Sequence, residues 1–232
     1  MINLLLISTA PILIILAYVY YRDKYEREPL NLLFEGLVAG GVIVLPVIYF
    51  EKIIDGFGAN LSGLQNAAWT AFMVAALVEE GFKLFAVIVL IWKNPNFNEK
   101  FDGIVYAVFV SLGFALIENI SYVFGNDNSM QVGITRAFTA VPAHAMFGVM
   151  MGYWLGKAKF VPSKRKKYLL AAFIYPFLFH GFYDFILMSG KQILLILFIP
   201  FVIYMVYRSH RRMKNFEGET IFNPDKGKKQ NK

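Results

Sequence analysis

The chain has 232 residues, 57% of them hydrophobic, a mean hydropathy of +0.51 and a formal net charge of +7. Ordinary soluble domains carry about 45–50% apolar residues, so the excess fits a chain whose solvent is lipid. There is no cysteine, which excludes disulfides, thiolate catalysis and Cys-ligated metals. The basic surplus lies in short connections and in the tail after Tyr207, a pattern of membrane topology signals rather than of nucleic-acid binding.

Seven segments are long enough to cross a bilayer, near 2–21, 30–50, 67–92, 103–124, 136–156, 168–188 and 192–207. The first lacks a basic leader and a small-residue cleavage site, so it reads as a retained span rather than a signal peptide. The expected fold is all-α: a polytopic membrane bundle of about seven helices. Nineteen Lys and Arg fall on one side of that arrangement and three on the other, with Lys83 inside the membrane. The split places the N-terminus outside and the C-terminus in the cytoplasm of a multi-pass cell-membrane protein. Residues 1–207 form the membrane domain and 208–232 a basic cytoplasmic tail with a disordered end. Residues 51–66 read as a turn-rich extracytoplasmic loop, with Gly56, Gly58 and Gly63. Gly36 with Gly40, and Gly148 with Gly152 and Gly156, allow close helix approach, read as packing within one monomer.

Charges at membrane depth are costly, rare and usually functional. Glu79 and Glu80 sit side by side in the third span, with Lys83 at i+4 and i+3, so the cation shares a face with both acids. Neighbouring residues on a helix point about 100° apart, so the two acids have different jobs. The fourth span carries Glu118 and Asn119, the fifth His144, and the sixth His180 with Asp184 at i+4, placed to fix the imidazole tautomer. At about 1.5 Å per residue, Glu118 lies roughly 9 Å from the outer end of its span, and His144 and His180 roughly 12 Å. Four helices thus bring these groups to the outer half of the bilayer. Glu35, near the cytoplasmic end of the second span, reads as structural, Asp102 as an N-cap, and Asn119 as no glycosylation site because it lies within a span.

The motifs of serine, aspartyl and His-Glu-x-x-His zinc membrane hydrolases are absent. What remains is a glutamate that activates water, with histidines as oxyanion donors or metal ligands.

In their order, Glu79-Glu80-x-x-Lys83, Phe114-x-x-x-Glu118 with Asn119, Pro142-Ala-His144 and His180-x-x-x-Asp184 resemble the PrsW family within the CAAX-protease and bacteriocin-processing superfamily. The juxtamembrane stretch from Tyr21 to Pro29 fits as well, and the likeness spans roughly 1–210. The resemblance implies an intramembrane protease that makes the first, extracytoplasmic-side cut in a single-span anti-sigma factor, releasing a sigma factor under cell-envelope stress. It implies Glu79 or Glu80 as general base, with His144, His180 and Glu118 completing the catalytic set and Lys83, Asn119 and Asp184 supporting it. Relatives acting on prenylated proteins carry Arg and Asn where this chain has Lys83 and Asp184, which argues against such substrates. The superfamily implies catalysis without a metal cofactor; a zinc ion on His144, His180 and Glu118 is the other arrangement these residue types allow. The competing reading is a proton-coupled transporter or relay, which would spread its polar residues through the membrane depth.

Overall fold

The computed structural model describes residues 1–220 and Phe222, and among these every regular element is helical. In chain order they are α1 (Ile2–Arg22), α2 (Leu30–Val42), α3 (Val44–Phe57), α4 (Gly63–Ala68), a π-helical stretch (Trp69–Ala76), α5 (Leu77–Ile91), α6 (Lys100–Phe124), α7 (Ser129–Phe138), α8 (Ala140–Phe160), α9 (Arg165–Met188) and α10 (Gln192–Glu219). Five helices are long and apolar enough to cross a membrane: α1, α2 with α3, α6, α9 with the turn before it, and α10. The expected spans at 67–92 and 136–156 correspond to α4–π–α5, whose winding changes midway, and to α8. Large apolar side chains such as Ile14, Phe34, Leu45 and Ile199 project outward. A belt of this kind on several helices belongs against lipid, and the chain is a multi-pass membrane protein.

Three boundaries differ from the sequence expectation for identifiable reasons. The second span breaks at Ile43 because Pro46, three residues on, has no N–H to donate to Val42 and its ring opposes that carbonyl. The helix nevertheless resumes and runs to Phe57, so the loop expected at 51–66 shortens to residues 58–62. Asp102 is not the N-cap of α6: Glu99 is, and Asp102 at the third helical position completes a capping box with it. At the C-terminus, α10 continues past Tyr207 to Glu219. Its last turns are held by Phe216 stacked 4.5 Å from Tyr153 and by Arg212 lying 5.1 Å from the same ring. The expected disordered end of the tail lies outside the described residues.

The middle of the bundle is α6, buried along residues 101–115. A helix can occupy that position only if its neighbours approach closely, and glycines permit it. A Cβ on Gly152 of α8 would sit 2.1 Å from the Gly103 carbonyl oxygen, and one on Gly156 2.3 Å from that of Lys100. On the other side, a Cβ on Gly40 of α2 would meet Val110 O at 2.0 Å, and one on Gly113 would meet Leu37 O at 2.1 Å. The small-residue motifs therefore serve packing within the chain, as the sequence suggested.

Backbone faces backbone at these contacts, so a side chain there has nowhere to relax. Gly152→Val is expected to cost about 3 kcal/mol or more, read as a lowered unfolding midpoint in detergent. Gly56→Ala, with nothing within 4 Å of the added methyl group, should leave the midpoint unchanged or slightly raised.

Candidate active site

Glu79 and Glu80 open α5 directly after the π-helical stretch, and Lys83 follows one turn later. All three are buried. Lys83 Nζ donates to Glu79 Oε2 at 2.8 Å and to Glu80 Oε1 at 3.0 Å, and lies 3.2 Å from His144 Nδ1 on α8. An ammonium has three donors and no acceptor, so these three contacts use it fully and make His144 Nδ1 an acceptor. The ring proton of His144 then belongs on Nε2, 2.9 Å from Glu118 Oε2 on α6. The Lys83 ammonium also lies 4.2 Å from the Phe114 ring centre.

The second branch starts at Glu80, whose Oε1 is 3.0 Å from His180 Nδ1 on α9. The other ring nitrogen of His180 is 3.2 Å from Asp184 Oδ2, the i,i+4 pairing expected from sequence. With a carboxylate at each nitrogen, only a doubly protonated ring serves both at once. Phe147 stacks on His180 at 4.8 Å and nearly parallel, and the two histidine rings lie 5.8 Å apart. Ser111 Oγ donates to the His144 carbonyl at 2.7 Å, fixing α8 to α6 beneath the site.

These side chains meet at a cavity of about 550 Å³ between α3, the π stretch, α6, α7, α8 and α9. Glu79, Glu118, His144, His180 and Asp184 line it, whereas Glu80 and Lys83 stand behind its wall. The two adjacent acids are thus divided: Glu79 faces the cavity, and Glu80 joins Lys83 to His180. Asn119 does not line it; its amide donates to Ser8 O on α1 at 2.8 Å.

Two lining residues were not singled out from sequence. Arg136 on α7 is 2.8 Å from Glu118 Oε2, and its Nε donates to Asn119 Oδ1 at 2.8 Å. The signal for it was present, since an arginine on the side poor in basic residues runs against the topology rule. Glu51 lines the cavity from α3. It was assigned to a loop, so its depth was invisible. Along α6 the acids fall at two ends, Asp102 and Glu118, with buried apolar side chains at 107–110 between them. That separation counts against a proton relay across the bundle.

The model of the PrsW family, described as intramembrane metalloproteases, matches residues 28–207. Among curated proteins named Protease PrsW, that of Clostridioides difficile (strain 630) is 40% identical over 207 residues, covering 88% of this chain and 87% of the relative. That of Geobacillus kaustophilus (strain HTA426) is 38% identical, covering 83% of each chain. The Bacillus subtilis (strain 168) protein is 34% identical, covering 88% of this chain and 91% of its own. No solved structure matches the chain.

The family description implies a metal, and the donors can be tested against it. Glu79, Glu80 and His180 are all buried and each offers a ligand atom within 4.8 Å of the others. Glu80 Oε2 is buried without a hydrogen-bond partner. Two carboxylates and an imidazole fit a zinc-type ion. The set that meets this spacing is not the His144, His180 and Glu118 set expected from sequence, because Glu118 is turned toward His144 and Arg136.

Breaking the Lys83 contacts leaves two buried carboxylates without their shared cation. Lys83→Met is expected to cost about 3–5 kcal/mol, measured as a fall in unfolding midpoint. In a Glu79→Gln, Glu80→Gln background the same substitution should cost much less, because the charges it balanced are gone.

Proposed function

The chain belongs to the PrsW family of intramembrane proteases, and from that premise we propose that it hydrolyses a peptide bond of a single-span membrane protein with Glu79 as general base. The observation that carries this reading is the convergence of Glu79, Glu118, His144 and His180, from four separate elements, on one cavity. Hydrolysis in a membrane needs water held beside a base and donors for the oxyanion, and the surrounding apolar bundle strengthens both effects.

Glu79 takes a proton from a cavity water as its oxygen attacks the scissile carbonyl carbon. The carbonyl oxygen becomes the oxyanion, and the Nε2–H groups of His144 and His180, turning to it from Glu118 and Asp184, stabilise it. Collapse breaks the C–N bond, and the leaving nitrogen takes the proton held by Glu79. Glu80 and Asp184 are positioning residues that hold His180, and Glu118 with Arg136 holds His144. Lys83 keeps the buried acids of α5 charged and in place. Where the family's metal is bound, Glu79, Glu80 and His180 would hold it, and it would supply a Lewis acid that polarises the carbonyl and acidifies water.

Counting α4–π–α5 and α8 with the five apolar spans gives seven crossings. The bias of Lys and Arg then puts the cavity end of the bundle outside. On that topology the cut falls toward the outer leaflet. The substrate we assign is a membrane-anchored anti-sigma factor, cleaved first at its extracytoplasmic side to free a sigma factor for the envelope stress response.

The test reconstitutes the full chain with a single-span substrate and follows cleavage. Glu79→Gln should lower the rate about 10²–10⁴-fold while the substrate still binds. Cleavage by Glu79→Gln at the wild-type rate would remove the general-base assignment. Repeating the assay after dialysis against a chelator separates the two chemistries: activity that survives rests on the side chains, and activity that returns only with Zn²⁺ requires the ion.

A further inference from the structure

At the other end of α6, about 24 Å from Glu118 by helical rise, a second group of acids gathers. Asp23 and the connection from α1 to α2 bring Glu26 and Glu28 against Asp102, and the capping residue Glu99 stands beside them. Glu26, Glu28 and Asp102 each place a ligand atom within 4.8 Å of the other two. Asp102, Glu28 and Asp23 are 0%, 2% and 3% exposed.

The oxygens divide into those with partners and those without. Asp102 Oδ2 accepts the Asn98 and Glu99 backbone N–H groups at 2.8 and 2.7 Å, and Glu28 Oε2 accepts the Tyr106 hydroxyl. The second oxygens, Asp102 Oδ1 and Glu28 Oε1, meet no N–H or O–H donor, although the two carboxyls are close enough to share a hydrogen bond when one holds a proton, and Asp23 Oδ2 and Glu26 Oε2 have no hydrogen-bond partner. Buried carboxylate oxygens left so are expensive unless a cation or proton meets them.

The nearby basic side chains are engaged elsewhere. Arg22 pairs with Glu217, Lys100 pairs with Glu219, Arg27 lies over Tyr20 and Tyr21, and Lys24 over Tyr25. Among the described residues no ion pair brings a Lys or Arg to Asp23, Glu26, Glu28 or Asp102. Burial, and then the neighbouring acids Asp102 and Glu99, push the Asp23 carboxyl up to about 8. Burial likewise pushes Glu28 up to about 8.

We propose that Glu26, Glu28 and Asp102, with Asp23 beside them, bind one hard divalent cation of the magnesium or calcium class. The donors are all oxygen, which suits such ions and disfavours softer metals. The half-buried Glu26 gives water access, so an ion there can keep part of its hydration shell, as Mg²⁺ requires. The ion would tie the α1–α2 connection to the start of α6, a site separate from the cavity and independent of the chemistry assigned there.

Binding of Mn²⁺ to the purified full chain in detergent, followed by electron paramagnetic resonance with Mg²⁺ and Ca²⁺ as competitors, tests this. One Mn²⁺ displaced by Mg²⁺ or Ca²⁺ is expected, and it should persist in a Glu80→Gln, His180→Ala variant that lacks two of the three donors at the cavity. Glu26→Gln, outside the capping box and not fully buried, should weaken that binding at least tenfold and abolish the rise in unfolding midpoint that millimolar Mg²⁺ gives the wild type. Asp102→Asn should do the same where it folds. Mn²⁺ binding unchanged by Glu26→Gln, loss of the ion in the Glu80→Gln, His180→Ala variant, or no binding at millimolar Mn²⁺ would each overturn the proposal, the last leaving protons shared among the acids.

Discussion

A single ammonium group sets the chemistry of the cavity end of this bundle. Lys83 is fully buried and its three donors go to Glu79, Glu80 and His144. Because His144 and Glu80 each lead to a further helix, the contact acts as a junction between α5, α6, α8 and α9. Through His144 it reaches Glu118 and Arg136; through Glu80 it reaches His180 and Asp184. Buried charges earn their place only when every lone pair and proton is met, and here nearly all are. Glu80 Oε2 is the exception, and it lies in the group whose spacing suits a metal.

The junction needs a rigid frame, which close helix contact supplies. Glycines let α2 and α8 approach the backbone of α6 on two different faces, so α6 cannot slide or turn without a clash. Its two ends carry different polar clusters across an apolar middle. One faces the cavity; the other gathers acids around Asp102. A helix held this firmly keeps the distance between them fixed.

Much of this was legible in the chain. The i,i+3 and i,i+4 spacings of Glu79, Glu80 and Lys83, and of His180 and Asp184, predicted contacts that exist, because helical geometry is set by the backbone alone. Topology then gathered residues from separate spans. Glu51 was missed because it was assigned to a connection, and Arg136 because at the edge of its span it was read only as a topology charge; which wall such a side chain faces is decided by tertiary packing. The extension of α10 was missed for a related reason: its polar residues look like a tail until Phe216 and Arg212 find the rings of α8. Pro46 was in plain view, yet a proline early in a helix can start one as easily as end one.

The π-helical stretch before Glu79 has a consequence of its own. It spans residues 69–76 and winds wider than an α-helix, with hydrogen bonds one residue longer. Removing one residue there, with the winding unchanged, would shorten the helix by roughly 1–1.5 Å. It would turn everything downstream by one residue's step, roughly 80–100°, carrying Glu79 off the cavity wall and swinging Glu80 toward it. The segment therefore works as a phase setting: its side chains tolerate exchange for others of similar bulk, and the number of its residues does not tolerate change.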